Sequence, residues 1–241
     1  MVLYLHGFTG GAWEAEALTQ ICGREVVSLD LPGHDQGQTP GDCSMASACA
    51  RVSVLAEQAG APVDLIGYSM GGRVALSLAV ERPCWLRKLV LIGARPGLDN
   101  PIQRAQRLEQ DEARAKRIES EGVLSFADAW ETLPIIASQR FISPELRKKM
   151  QATRRAHSAE GLAASLRDMG SAAMPSLWHR LKEVDSETLW ITGSEDRRYG
   201  ELATRALGEN ELFSHKVIQG AGHCAHFEKP HSFRSLLDSF W

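Results

Sequence analysis

Hydrophobic and polar positions fall into short alternating blocks along the first hundred residues. Mostly apolar runs of four residues, typical of buried parallel strands, lie at 2–5, 26–29, 63–66 and 89–92. Stretches with helical spacing of apolar residues lie between or after them, at 13–20, 44–58 and 74–81. This alternation of strand and helix predicts a mostly parallel sheet with right-handed crossovers, flanked by helices.

The pattern changes between Asp99 and Pro175, where no strand-like run occurs. Capping residues and prolines predict four helices here, over 101–122, over 125–133, from Ser143 onwards and over 158–169. Strand patterns resume at 188–192 and 214–218, and a last helix is predicted from Pro230 to Trp241. The predicted organisation is an α/β core of residues 1–98 and 176–241 with an inserted helical segment, residues 99–175, here called the lid.

Length and composition exclude several classes of protein. A chain of 241 residues fits one α/β domain with an insertion or two small domains, and its 44% hydrophobic and 24% charged residues are those of an ordinary soluble protein. A net charge of -3 gives no reason to expect nucleic acid or an anionic membrane as a partner. The first apolar run is too short for a signal peptide or a membrane span. The five cysteines are an odd number with no C-x-x-C pair, so reduced thiols and a cytoplasmic location are expected. A monomer is the default expectation.

The stretch from Gly67 to Gly71 reads Gly-Tyr-Ser-Met-Gly and lies between a predicted strand and a predicted helix. This Gly-x-Ser-x-Gly frame is the nucleophile elbow, in which a sharp turn presents the serine at the carboxyl edge of a sheet. The helix that follows begins beneath the serine, and its amino end favours negative charge on a reacting group. Ser69 is therefore the candidate nucleophile or base.

A serine hydroxyl needs a histidine to take its proton and a carboxylate to orient that histidine. Asp196 follows the predicted strand at 188–192, and His223 follows the strand at 214–218. Both positions belong to the carboxyl edge that carries Ser69, so these residues are the candidate acid and base. Glu195 is the alternative acid. The other histidines have weaker contexts: His6 is expected to orient its loop, His226 and His231 to lie in a loop and at a helix start, and His157, His179 and His215 to lie at the surface.

Two backbone N–H groups are expected to stabilise an oxyanion beside Ser69. One belongs to Met70, and the other comes from the loop His6-Gly7-Phe8, with Phe8 as the candidate. The same loop lacks the G-x-G-x-x-G pattern and the P-loop lysine, which argues against nucleotide binding. Cysteine and histidine spacing suggests no metal site. A further loop between Pro32 and Asp42 is rich in glycine, glutamine and proline.

Arg73 stands four residues after Ser69, one helical turn away, and can face the same pocket. A guanidinium is a permanent cation whose planar fork fits carboxylates, so Arg73 indicates an acidic substrate. The alternatives are an exposed helix residue and a buried structural ion pair.

Several motifs together carry a resemblance to a known family. They are Leu-His-Gly-Phe-Thr-Gly from residue 5, Asp-Leu-Pro-Gly-His from 30, Gly-Tyr-Ser-Met-Gly-Gly-Arg from 67, Arg-Pro-Gly-Leu from 95 and Ala-Gly-His from 221. The set resembles the menaquinone-pathway lyases of the α/β-hydrolase superfamily, the 2-succinyl-6-hydroxy-2,4-cyclohexadiene-1-carboxylate synthases. The resemblance spans nearly the whole chain. Other members of the fold usually carry extra strands before the His-Gly loop, whereas this sequence starts inside the first motif strand. Either those edge strands are absent or the given sequence lacks them, so the size of the sheet stays open at this point.

The resemblance implies an elimination without a cofactor. Pyruvate would leave 2-succinyl-5-enolpyruvyl-6-hydroxy-3-cyclohexene-1-carboxylate, a small polycarboxylate, after Ser69 and His223 remove a proton. By position in the motifs, the resemblance also implies that five residues bind substrate: Tyr68, Arg73, Arg107, Trp130 and Arg154. Arg155 is the alternative to Arg154. For each lid residue the structural alternative is a solvated helix face or lid packing.

Two other functions remain open at this point. A serine hydrolase (an esterase, a thioesterase or a C–C bond hydrolase) acting on a carboxylated substrate would use the same Ser-His-Asp set. A non-catalytic binding protein on the same fold is the third possibility.

Overall fold

The computed structural model describes residues 1–35, 41–60 and 62–241, and five residues of the predicted loop between Pro32 and Asp42 lie outside this part. Its sheet has six parallel strands in the order β2-β1-β3-β4-β5-β6. The strands are β1 Val2–Leu5, β2 Val26–Ser28, β3 Val63–Tyr68, β4 Leu86–Ile92, β5 Glu187–Gly193 and β6 Phe213–Ile218. All six predicted strands are present, and the predicted α/β-hydrolase fold class is confirmed.

Ten α-helices accompany the sheet within the described ranges. They are α1 Glu14–Cys22, α2 Met45–Gln58, α3 Met70–Ala79, α4 Pro101–Glu131, α5 Pro134–Ala137, α6 Pro144–Ala156, α7 Ala159–Met169, α8 Arg197–Leu207, α9 Ala225–Glu228 and α10 Pro230–Phe240. Polar side chains cap four of these helices, α2, α4, α6 and α7. Asn100 accepts hydrogen bonds from the first amides of α4, and Ser158 accepts one from Gly161 in α7. None of these helices is long and apolar enough to cross a membrane.

The sheet is buried on both faces because side chains alternate along each strand. Leu3, Leu65 and Leu89 point to the face covered by α2 and α3, whereas Tyr4 and Ile66 point to the opposite face. Each of these side chains is fully buried. Near-continuous apolar strands are therefore required at the centre of the sheet, as in other two-sided parallel sheets.

The lid lies between β4 and β5 and contains α4 to α7 with a 3₁₀ helix at Ser138–Phe141. Its main helix, α4, is interrupted at Gly122, where φ is 83° and ψ is 163°. Only glycine readily adopts these angles. The helix end predicted near residue 122 is therefore present as a kink, and the helical assignment continues on both sides of it. A small apolar cluster joins α4 to α7, formed by Ala115, Ile118, Phe126, Leu162, Ala163 and Leu166.

Candidate active site

Ser69 occupies the turn between β3 and α3 in a strained backbone conformation, with φ of 51° and ψ of -104°. The turn is possible only because glycines flank it. A β-carbon on Gly67 would lie 2.7 Å from the carbonyl oxygen of Gly71, and one on Gly71 would lie 2.1 Å from that of Leu5. The strand and the helix therefore approach closely enough to project the hydroxyl from the sheet edge.

The structure brings Ser69, His223 and Asp196 together. The Ser69 hydroxyl lies 2.9 Å from Nε2 of His223, whose Nδ1 lies 2.6 Å from Oδ2 of Asp196. Because a carboxylate only accepts, Nδ1 carries the proton and Nε2 is free to accept one from the serine. His223 and Asp196 are buried, whereas the alternative acid, Glu195, is exposed.

The loop after β1 lies beside Ser69. The amides of Phe8 and Met70 donate to no acceptor within the described ranges, and both residues line the cavity at Ser69. His6 holds the loop, as expected: its Nδ1 donates to the carbonyl of Gly7 at 2.8 Å, and its Nε2 accepts from the amide of Leu31 at 3.0 Å. Burial lowers the pKa of His6 to about 4, so it is a neutral structural group.

The expectation that His157 lies at the surface is wrong. Its side chain is buried, 5.2 Å from the ring of His34, and its Nε2 lies 3.2 Å from the carbonyl oxygen of Thr9. His34 accepts from the Thr9 amide on the other side. Burial lowers the pKa of both imidazoles. The sequence around His157 carries no motif, and only the docking of the lid on the His6–Gly10 loop buries it.

A cavity of about 190 Å³ opens at Ser69 between the core and the lid. Its wall combines cationic and aromatic side chains. The main members are Phe8, Tyr68, Arg73, Arg107, Arg114, Trp130, Arg154 and Tyr199. All five substrate-binding residues implied by the resemblance lie on this wall.

Arg73 is buried at the cavity without a carboxylate partner. Its Nη2 donates to the carbonyl of Met169 at 2.6 Å, and its buried Nε has no hydrogen-bond partner within the described ranges. No ion pair of Arg73 with a described acidic residue is present. Burial lowers its pKa to about 10, which still leaves it charged at neutral pH. The structure thus contradicts both alternatives to substrate binding given for Arg73, an exposed helix residue and a buried structural ion pair.

Arg107 and Arg114 share one buried carboxylate on helix α4. The Nε of Arg107 lies 2.8 Å from both oxygens of Asp111, and Nη1 of Arg114 lies 3.0 Å from Oδ1. One carboxylate between two guanidiniums leaves a net positive charge at the cavity wall. Arg114 was not among the predicted site residues, although its spacing of seven from Arg107, two helical turns, places both on one helix face.

Arg154, not Arg155, lies on the cavity wall. Its side chain is buried and donates to Glu131, Gln139 and Thr9 at 3.0, 3.1 and 3.3 Å. Arg155 turns outwards to Asp128 and Glu131. The sequence left the two arginines as alternatives, and the rotation of helix α6 against the core separates them.

Aromatic rings and one acid complete the wall. Trp130 packs 5.3 Å from Phe8, and its indole N–H is buried without a partner within the described ranges. Tyr68 lies 5.4 Å from the ring of His223. Glu14, which the sequence analysis missed, faces the cavity and accepts from the hydroxyl of Tyr4 at 2.6 Å. Burial raises the pKa of Glu14 to about 7.

No group of three or more side chains suited to a metal ion occurs among residues 1–35, 41–60 and 62–241. The cavity offers a serine–histidine pair and an excess of fixed positive charge, an arrangement suited to moving a proton on an anionic substrate.

Comparisons with known proteins agree with this arrangement. The sequence profile of the alpha/beta hydrolase family matches residues 2–236. A Salmonella agona 2-succinyl-6-hydroxy-2,4-cyclohexadiene-1-carboxylate synthase is 31% identical over 233 residues, which are 95% of this chain and 88% of the relative. A Bacillus subtilis protein provisionally given the same name is 32% identical over 247 residues, with coverage of 99% and 89%.

A solved structure extends the similarity to three dimensions. The structure of MenH from S. aureus superimposes with a TM-score of 0.92 at 30% identity, and the match covers 99% of this chain and 92% of that one. Together with the full-length sequence matches, this similarity identifies the chain as a member of the alpha/beta hydrolase family and, within it, of the 2-succinyl-6-hydroxy-2,4-cyclohexadiene-1-carboxylate synthases.

Proposed function

We propose that this enzyme is a carbon–oxygen lyase that eliminates pyruvate from 2-succinyl-5-enolpyruvyl-6-hydroxy-3-cyclohexene-1-carboxylate and releases 2-succinyl-6-hydroxy-2,4-cyclohexadiene-1-carboxylate. The observation that carries the proposal is Arg73, a buried guanidinium with no carboxylate partner among the described residues, one helical turn from Ser69. Burying an unpaired charge is costly, so an arginine in this position favours an anionic ligand.

The cationic wall suits a substrate with three carboxylates, carried by its succinyl, enolpyruvyl and ring groups. Arg73, Arg107 and Arg154 are the proposed partners, with Tyr68 and Trp130 supplying apolar contact area. Arg107 and Arg154 already donate to protein acceptors, so their remaining N–H groups and their charge would act on the substrate. Fixing the pose of a reactant beside a base can supply a large part of a rate enhancement.

In the proposed reaction Ser69 is the base and His223 receives its proton. The C–H bond next to the succinyl ketone breaks, and the proton passes through the Ser69 hydroxyl to Nε2 of His223, which Asp196 stabilises. The amides of Phe8 and Met70 would hold the negative charge on the ketone oxygen. The electron pair then expels the enolpyruvyl oxygen, and the released enolpyruvate gains a proton and becomes pyruvate. No electrons are gained or lost overall, so the step needs no redox cofactor.

The lid, residues 99–175, is the proposed substrate-specificity unit, since it contributes Arg107, Arg114, Trp130 and Arg154 to the cavity. The core, residues 1–98 and 176–241, holds the Ser-His-Asp set. We further propose a monomer in the cytoplasm that acts on this small molecule and not on nucleic acid. The net charge of -3 supports a partner other than nucleic acid, and the five free cysteines support the cytoplasmic location.

Pyruvate release from the enolpyruvyl substrate, followed by coupled lactate dehydrogenase, tests the lyase function. We expect turnover by the wild type and its loss in Ser69→Ala, with Ser239→Ala on the exposed face of α10 as the matched control. If the folded wild type releases no pyruvate from this substrate, the lyase function is wrong. Hydrolysis of carboxylated nitrophenyl esters in that case would favour the serine hydrolase, and failure of a fluorophosphonate to label Ser69 would favour a binding protein.

A further inference from the structure

Glu228 lies under the turn that carries His223, and its carboxylate is buried with 4% exposure. Its Oε2 accepts from the amide of Gly222 at 2.6 Å, and its Oε1 accepts from the amide of Cys224 at 3.1 Å. These two amides flank His223 on either side. One side chain therefore satisfies both backbone donors next to the proposed base.

A third donor reaches the same carboxylate from the lid. The hydroxyl of Ser138 donates to Oε1 of Glu228 at 2.8 Å. Within the described ranges, Glu228 forms no ion pair, so three hydrogen bonds offset the cost of burying its charge. The contact also depends on Gly222, where an added β-carbon would lie 2.2 Å from the Ser138 hydroxyl oxygen.

The next lid residue connects this contact to the cavity. The side-chain oxygen of Gln139 accepts from Nη2 of Arg154 at 3.1 Å, and Arg154 lines the cavity. A short path of direct contacts thus runs from a cavity arginine, through two consecutive lid residues, to the turn that holds His223.

We propose that Glu228 is a positioning residue for His223, and that Ser138 ties the placement of the lid to the geometry of the Ser-His-Asp set. Through this tie, a substrate held by Arg154 favours the same lid position that fixes the His223 turn. The proposal rests on the role of His223 given under the proposed function. It concerns residues that touch neither the substrate nor the reacting atoms.

Glu228→Gln tests the first part. The amide side chain places an N–H group against one of the two backbone N–H donors, so the turn shifts. We expect kcat for pyruvate release to fall by about 10- to 100-fold with KM unchanged, because a shift of a catalytic group by about 1 Å can cost about 100-fold. Labelling of Ser69 by a fluorophosphonate should slow by the same factor. Glu209→Gln, which alters an exposed carboxylate after α8, should match the wild type.

Ser138→Ala tests the second part, since it keeps both backbone contacts of Glu228. We expect pyruvate release to slow by about 3- to 10-fold, the value of about one hydrogen bond, with labelling by the small fluorophosphonate unchanged. If Glu228→Gln does not fold, Glu228→Asp keeps the charge with a shorter reach and should show slowed labelling.

Labelling at the wild-type rate by a folded Glu228 variant would overturn the positioning role, even if the variant melts at a lower temperature. Equal rates of pyruvate release in Ser138→Ala and the wild type would overturn the tie to the lid. If the wild type releases no pyruvate but Glu228→Gln is labelled more slowly than the wild type, the positioning role stands and the lyase function does not. The two failures are therefore distinguishable.

Discussion

Arg73 of the core and Met169 of the lid are joined by a hydrogen bond of 2.6 Å, from Nη2 of the guanidinium to the backbone carbonyl. The bond holds the arginine at the boundary of the two units, with its charge against the cavity. A carbonyl satisfies one N–H group but does not neutralise the cation. The arginine is therefore positioned by the protein and left without a counter-ion.

Replacing Arg73 with Met keeps the length of the side chain and removes its charge. We expect KM for the enolpyruvyl substrate to rise by about 10- to 100-fold, the loss of one charge-assisted contact of about 1.5–3 kcal/mol. We expect no loss of thermal stability, because an unpaired buried cation disappears as well. Steady-state kinetics and thermal unfolding of Arg73→Met check both points. Arg234→Met on the exposed side of α10 is the control, and an unchanged KM would remove Arg73 from substrate binding.

Neutralising Asp111 should weaken the lid. In Asp111→Asn the guanidiniums of Arg107 and Arg114 lose the negative charge between them, although an amide oxygen can still accept. Both arginines are about a third exposed, so solvent screens part of the loss and we expect a decrease of about 1–2 kcal/mol in the free energy of unfolding.

Urea unfolding of Asp111→Asn measures that decrease, and KM should rise in the same variant because Arg107 is no longer held. Glu109→Gln is an exposed carboxylate change on the same helix and should alter neither quantity. Wild-type stability in Asp111→Asn would contradict the stabilising role of the shared carboxylate.

Glu14 should make stability depend on pH in a defined window. Burial raises its pKa in the folded protein from 4.5 to about 7, so the native state binds this proton more tightly than the unfolded chain. The resulting stabilisation is fully present below pH 4.5 and is lost as pH rises towards 7, by up to about 3 kcal/mol. Glu14→Gln removes this dependence.

Urea unfolding at pH 5 and pH 8 measures the effect as a difference between Glu14→Gln and the wild type. The difference between the two proteins is needed because buried histidines change the free energy of unfolding with pH in the opposite direction. Burial lowers the pKa of His6 to about 4 and that of His226 to about 3, so their contribution is lost as pH falls below 6.5. Equal pH dependence in the two proteins would show that Glu14 does not titrate in this range.

The break at Gly122 should set the position of Trp130. A β-carbon at Gly122 meets nothing within 4 Å, so Gly122→Ala tests only the backbone conformation. Alanine disfavours φ of 83° with ψ of 163° by about 1–3 kcal/mol and favours a continuous helix instead. Straightening α4 would move Trp130 away from Phe8, and we expect KM to rise and tryptophan emission to shift to longer wavelength. Gly208→Ala, at the end of α8 with φ of -71°, is the control, and unchanged kinetics in Gly122→Ala would contradict the prediction.

The order of strands and motifs in the chain was enough to predict which residues meet at the sheet edge. Ser69, Asp196 and His223 are far apart in sequence, but each follows a parallel strand, and the carboxyl ends of parallel strands share one edge. The glycine pattern around Ser69 likewise specifies a turn that other residues cannot form. Such predictions succeed because periodicity and turn chemistry are local properties of the backbone.

The directions of single side chains were decided only by tertiary packing. Arg154 and Arg155 are chemically alike neighbours, and the rotation of α6 buries one at the cavity and leaves the other outside. His157 and Glu14 carry no motif, and their burial depends on how lid and core dock. The sequence by itself determined the fold, the strand-end positions and the family, because these follow from local pattern. Which charges are buried, paired or left facing the cavity was decided by the tertiary structure, because desolvation and ion pairing depend on neighbours distant in the chain.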